Sequence, residues 1–158
     1  LDADALNAIS RNKSLLNQLP ADSILTPHLA EFDRLFGKSA NGFGRHQKQI
    51  AASVKYNCII VLKGAYTCIS TPDGKSYYNP TGNAGLAKGG SGDVLTGIIA
   101  SMLAQKYSPL QAAITGVYLH GLAADLATQK IHQASLLATD VIQNISKAFR
   151  YLQANDSK

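Results

Sequence analysis

From Asn79 to Asp93 the chain carries a glycine-rich turn, and an apolar helix opens directly behind it, Val94 to Ala104. Gly89, Gly90 and Gly92 are expected to take positive φ angles and to let a ligand approach the backbone, because no Cβ intervenes. Successive N–H groups in such a turn converge into an anion-binding nest. The helix behind it adds its positive dipole end and its unpaired amides. Asp93 then stands where a phosphate is expected. A carboxylate beside a phosphate is unfavourable unless it has another task, and accepting a proton from a hydroxyl nucleophile is one. The competing reading is a loop shaped only for close packing, with Asp93 as the helix N-cap. Three glycines, Ser91 and Asp93 within five residues favour the phosphate site. The pattern is not a Walker loop. Lys88 is followed by Gly89, so the usual hydroxyl ligand for magnesium is missing there.

The rest of the chain reads as alternating strands and helices. Leu1 to Asn7 predicts the end of a buried strand turning into a short helix, with no earlier element to pair it. Asp2 and Asp4 then lie at the sheet edge where parallel α/β folds bind ligands, or Asp4 merely caps the helix. Arg11 to Gln18 continues as a short polar helix that Pro20 breaks. Ser23 to Thr26 predicts a strand, and His28 to Gly37 an amphipathic helix with Leu29, Phe32, Leu35 and Phe36 inward. After a loop at 40–44, Arg45 to Tyr56 predicts a helix with Ile50, Ala51 and Val54 inward.

Cys58 to Leu62 is a continuous apolar run, the mark of a strand covered on both faces. It ends in Lys63-Gly64, where a lysine either reaches a phosphate as a point charge or only snorkels to solvent. Tyr66 to Ser70 and Lys75 to Tyr78 flank Pro72-Asp73-Gly74, a hairpin signal. The helix after Asp93 is apolar nearly all round and is expected to be buried. Ser108-Pro109 opens a helix to about Lys130, whose small residues allow close approach to neighbours. His120 and Asp125 are read as structural. Thr139-Asp140 caps a last helix, Val141 to Gln153, with Val141, Ile145, Ala148, Phe149 and Leu152 inward. Residues after Ala154 are expected to fray. This is an α/β layered domain.

At 158 residues the chain supports one domain with a real core. Its net charge of +5 suits an anionic ligand, but no run of Lys/Arg interleaved with aromatics argues for nucleic acid. Cys58 and Cys68 lie in apolar runs without a CxxC pair, so buried free thiols in a reducing cytoplasm are expected. No signal peptide opens the chain and no apolar run spans a bilayer, so a cytoplasmic protein without membrane contact is expected. The chain begins at Leu1 and its single methionine is Met102, which reads as a C-terminal fragment. The sheet edge left open in a fragment invites pairing between copies, hence a homo-oligomer.

Thr81-Gly82-Asn83, Gly85-Leu86-Ala87 and the run Gly89 to Leu95 resemble the signature of the NAD(P)H-hydrate dehydratases, members of the ribokinase-like superfamily. Leu1 to Asn7, Thr26-Pro27-His28 with Glu31, Lys63-Gly64 and His120 to Ala123 match in the same order. The resemblance implies that residues 1–158 are the C-terminal part of one ribokinase-like domain. Its expected fold is α/β, a mostly parallel central sheet flanked by helices with one β-hairpin. The implied activity is ADP- or ATP-dependent dehydration of the S epimer of NADH or NADPH hydrate, through phosphorylation of its hydroxyl and loss of phosphate.

Asp93 would be the catalytic base and would touch the substrate. Lys63, Gly64, Ala65, Tyr66 and Thr67 would bind nucleotide, together with Gly89, Gly90, Ser91 and Gly92, and Thr81 and Asn83 could add polar contacts. His28 would meet the hydrated nicotinamide, and Glu31 would organise magnesium through water. Ala30 and Ala124 depart from the glycines usual in the family. Two alternatives remain: a kinase of the same superfamily acting on a vitamin precursor or sugar, and a nucleotide-binding fragment without turnover.

Overall fold

The computed structural model describes residues 1–156 of the chain. Four short strands, β1 (Ile24–Leu25), β2 (Ile59–Leu62), β3 (Cys68–Ser70) and β4 (Ser76–Tyr78), form one sheet in that order. Only β1 and β2 run parallel, with Ile24 opposite Ile59; β2–β3 and β3–β4 are antiparallel. The expected mostly parallel sheet is therefore corrected to a mixed one. The hairpin at Pro72 to Gly74 supplies the last strand pair, and the loop Lys63 to Thr67 turns β2 directly into β3, so neither link is a helical crossover. Gly74 takes φ +80 at the tip, as the Asp-Gly signal requires.

The apolar run of β2 is covered on both faces, and its residues alternate between two cores. Ile59 and Val61 join Ile24 and Ile69 against the C-terminal helices, while Ile60 and Leu62 join Leu25 against the N-terminal ones. That alternation follows from the two-residue period of a strand. The first layer contains α1 (Ala3–Arg11), α2 (Leu29–Phe36) and α3 (Gly42–Tyr56). The second contains α4 (Ser91–Ala104), α5 (Pro109–Thr128) and α6 (Ala138–Asp156). The fraying expected beyond Ala154 does not stop α6 before Asp156; for Ser157 and Lys158 it lies outside the described residues. Leu1 behaves as a strand end: its ammonium donates to the Ile24 carbonyl at 2.7 Å, and its carbonyl accepts from Thr26 N–H at 3.0 Å.

Several helix faces differ from expectation. α3 starts at Gly42, because the Asn41 side chain accepts from Gly44 N–H and caps it. It buries Gln49, Ala52 and Ser53, and Val54 is exposed. Two of these are polar, and both have partners on the sheet. Gln49 donates to the carbonyls of Ile60 and Cys68, and the Ser53 hydroxyl meets that of Ser70. Such pairing offsets the desolvation of the Gln49 amide nitrogen and the Ser53 hydroxyl. Gln49 Oε1 stays buried without a hydrogen-bond partner among the described residues. Leu29, expected inside, is exposed, as is Phe149 on α6. Among the described residues, no helix is long and apolar enough to cross a membrane.

Candidate active site

Three chain segments meet at the start of α4. Gly90 is its N-cap, at φ +85 and with no side chain to pair the first-turn amides. Asp93, the third helical residue, is thus not the N-cap. Of the three glycines only Gly90 has a positive φ. Gly92 serves close approach instead: a Cβ there would lie 3.2 Å from Lys63 Nζ and 3.5 Å from Asp2 Oδ2. Gly89 has open space around it.

Lys63 arrives from the carboxyl end of β2. Its ammonium is 2.8 Å from Asp2 Oδ1, and the other Asp2 oxygen accepts from the Thr96 hydroxyl at 3.0 Å. Burial pushes the Asp2 carboxyl up, but the Lys63 hydrogen bond and charge, with the Thr26 and Thr96 hydroxyls, hold it below its ordinary value. Asp2 is also the N-cap residue of α1, though its side chain makes no capping bond there. Asp4, the alternative cap, is exposed in the first turn.

His28 lies beside Lys63 across the strand ends, joined by a parallel bridge in which Lys63 N–H donates to the Pro27 carbonyl. His28 and Glu31 form a capping box on α2. The imidazole Nδ1 accepts from the Ala30 and Glu31 amides, and Glu31 Oε2 accepts from His28 N–H at 2.8 Å. Glu31 is buried, with Oε1 3.4 Å from His28 Nε2. Gly64, Ala65 and Tyr66 are exposed in the loop after Lys63, and Thr67 closes it by donating to the Gly64 carbonyl.

The structure brings Lys63, Gly90, Ser91 and Gly92 together, with His28 on the neighbouring strand end. Asp93 is exposed and turns to another side of α4. There it stands at the rim of an apolar groove of about 560 Å³ between α4 and α6, lined by Val94, Ile98, Met102, Ile145 and Phe149 among others. That volume lies in the range of small-molecule sites. α4 is consequently buried on one side only, a correction to the expected all-round burial.

Thr81 and Asn83 are bound elsewhere. The Thr81 hydroxyl donates to the Tyr118 carbonyl; Gly82 N–H and the Asn83 amide donate to the two oxygens of Asp125. Asp125 therefore fastens the front of the glycine turn to α5. His120 fastens its end, with Nε2 3.3 Å from the Ser91 hydroxyl. Burial lowers His120 to about 4, and the Lys63 charge adds to that. Both agree with the structural reading from sequence. Thr96 is the residue sequence reasoning missed. Its one signal is its place a turn beyond Gly92, on the same helix face.

A magnesium ion takes oxygen ligands and usually draws them from one or two carboxylates, phosphates and water. No three His, Cys, Asp or Glu side chains gather to hold a metal among the described residues. Glu31, the carboxylate that the sequence assigns to magnesium, is buried on α2 with both oxygens turned to His28.

The sequence profile described as NAD(P)H-hydrate dehydratase matches residues 1–147. The chain is 40% identical over 165 aligned positions to the ADP-dependent (S)-NAD(P)H-hydrate dehydratase of Neisseria meningitidis, covering 100% of this chain and 54% of that one. Among solved structures, the ADP/ATP-dependent NAD(P)H-hydrate dehydratase of Bacillus subtilis, co-crystallised with ATP and magnesium and soaked with CoA, superposes with a TM-score of 0.77 at 39% identity. That match covers 82% of this chain and 48% of the other. A ribokinase-like superfamily protein of Enterococcus faecalis gives a TM-score of 0.74 at 30% identity, over 95% and 51% of the two chains. The chain thus spans about half the length of each of these three relatives. With that match running through the strand ends, the glycine turn and α5, the chain belongs to the NAD(P)H-hydrate dehydratase family of the ribokinase-like superfamily.

Proposed function

We propose that this chain supplies the phosphate-handling half of an ADP- or ATP-dependent NAD(P)H-hydrate dehydratase acting on the S epimer. The observation that carries the reading is the start of α4, where a glycine N-terminus with no side-chain cap meets the Lys63 ammonium beside Gly92. Asp93 follows one residue later, at the rim of the apolar groove. First-turn amides and Lys63 provide fixed positive charge for the transferring phosphoryl group. Preplaced donors of this kind are often the largest catalytic contribution. The exposed loop Gly64 to Thr67 offers backbone to the nucleotide next to Lys63.

Asp93 takes the proton from the hydrate hydroxyl as its oxygen bonds to the terminal phosphorus and the bond to the departing nucleotide breaks. The carbon–oxygen bond then breaks with loss of phosphate. A proton leaves the neighbouring carbon, and the dihydropyridine double bond is restored. The apolar groove at Asp93 offers a water-poor wall for a ring system. His28, next to Lys63 on the strand ends, is assigned to the substrate. Magnesium, when bound, neutralises charge on the phosphate oxygens, and Glu31 would reach it through water.

The test is return of dihydronicotinamide absorbance from hydrated NADH, with magnesium and either ADP or ATP. Recovery is expected with the unaltered site and is expected to fall at least about a hundredfold in Asp93→Asn, the range for losing a general base. Accumulation of a stable phosphorylated product in place of NADH would overturn the dehydratase reading in favour of a kinase.

A further inference from the structure

We propose that Asp2 is a positioning residue for nucleotide binding, acting through Lys63, and that Thr96 holds Asp2 in that role. The proposal rests on the phosphate site assigned to the start of α4. Lys63 has a flexible four-carbon stem, and its ammonium would otherwise sample many positions at the sheet edge. The structure fixes it from two sides. Asp2 Oδ1 is 2.8 Å from Nζ, and the backbone of Gly92 lies so near that a Cβ there would be 3.2 Å away. Asp2 is held in turn by the Thr96 hydroxyl on its second oxygen. Its side chain is 9% exposed and that of Lys63 is 21% exposed, so water competes weakly for the pair.

The chain Thr96–Asp2–Lys63 therefore ties three elements that are distant in sequence: the segment entering α1, the end of β2 and the first turns of α4. An ammonium has three donors, and Asp2 takes one, leaving Lys63 able to donate to an incoming phosphate. Ordering a long side chain before binding removes part of the entropy that binding would otherwise lose. A carboxylate this near an anion site also repels the anion. The two effects have opposite signs, which makes the proposal testable.

The experiment is calorimetric titration of the 158-residue chain with ADP and, separately, adenosine, in the presence of magnesium. Asp2→Asn is expected to weaken ADP about fivefold, the scale of one ordered long side chain, with adenosine unchanged. In a Lys63→Gln background the same Asp2 change is expected to alter ADP affinity less than about twofold, because the two residues act as one unit. Thr96→Val is expected to follow Asp2→Asn, and Thr96→Ser, which keeps the hydroxyl, to retain the original affinity.

Tighter ADP binding by Asp2→Asn would overturn the proposal, leaving Asp2 as a repelling charge. An equal loss with and without Lys63, or a parallel loss for adenosine, would also overturn it. If Asp2→Asn does not fold, the Thr96 pair decides the matter alone. Failure of the unaltered chain to bind ADP would overturn the nucleotide reading itself, and this proposal with it.

Discussion

Gly121 and Gly97 are both helical glycines, and their surroundings demand opposite things. A Cβ on Gly121 would run into Thr81, with its carbonyl carbon only 2.7 Å away, where that residue is pinned to α5. The obstacle is backbone and cannot swing aside. Gly121→Ala is expected to destabilise the protein by about 3 kcal/mol, an overpacking effect, and to loosen the glycine turn with it. Gly97 lies in α4 at the groove with nothing within 4 Å of its would-be Cβ. Gly97→Ala is expected to stabilise by about 0.5–1 kcal/mol by restricting the unfolded chain. Denaturant titration of the two variants checks both signs. From the sequence, both glycines look alike. Close approach by α5 was legible in its run of small residues, but the neighbour each one faces depends on contacts far apart in the chain.

At the scale of elements, the strongest local signals gave the right structures. The Ser108-Pro109 start forms the capping box that begins α5, and the Asp73-Gly74 turn joins β3 to β4. Inward faces were harder to read. α3 follows hydrogen-bond partners on the sheet rather than hydrophobicity, so Gln49 and Ser53 displace Val54 from the interior. Phe149 and Ile142 face a groove that no helix-period pattern distinguishes from a core. In the candidate site, Lys63 and Gly92 meet as local chemistry suggested, whereas Asp93 turns to another side of α4 and Thr96 is an ordinary helical threonine until the fold brings Asp2 to it. The link between α4 and α5 has a pH consequence. His120, 7% exposed, is lowered by burial from 6.5 to about 4. Above pH 6.5 it is neutral in both the folded and the unfolded chain. As pH falls from there toward 4, the unfolded chain takes the proton first, so stability falls, and below 4 this contribution levels off. The full loss is about 3 kcal/mol. His120→Gln is expected to flatten this part of the stability–pH profile, measured by denaturant titration between pH 7 and 4.

At the scale of the molecule, the sheet stands between two cores, and β2 serves both. Ile59 and Val61 fill one core, Ile60 and Leu62 the other, so neither layer can leave without stripping half the burial from the same four residues. Two layers that share a strand in this way are expected to unfold together as one cooperative unit. Cys58 reports on this directly. It is fully buried in the N-terminal core, and burial pushes its thiol up to about 11. Only the thiolate reacts with a disulfide reagent, so at neutral pH the folded protein is doubly protected, by access and by protonation. Labelling then proceeds through opened molecules, and its rate under fast reclosing gives the free energy of the opening that exposes Cys58. With Cys68 replaced by Ser or Ala, that free energy is expected to equal the global value from circular dichroism across a denaturant series. A distinctly smaller labelling free energy would show the helices α1 to α3 parting from the sheet alone. It would also part Asp2, at the start of α1 in that layer, from Thr96 of α4.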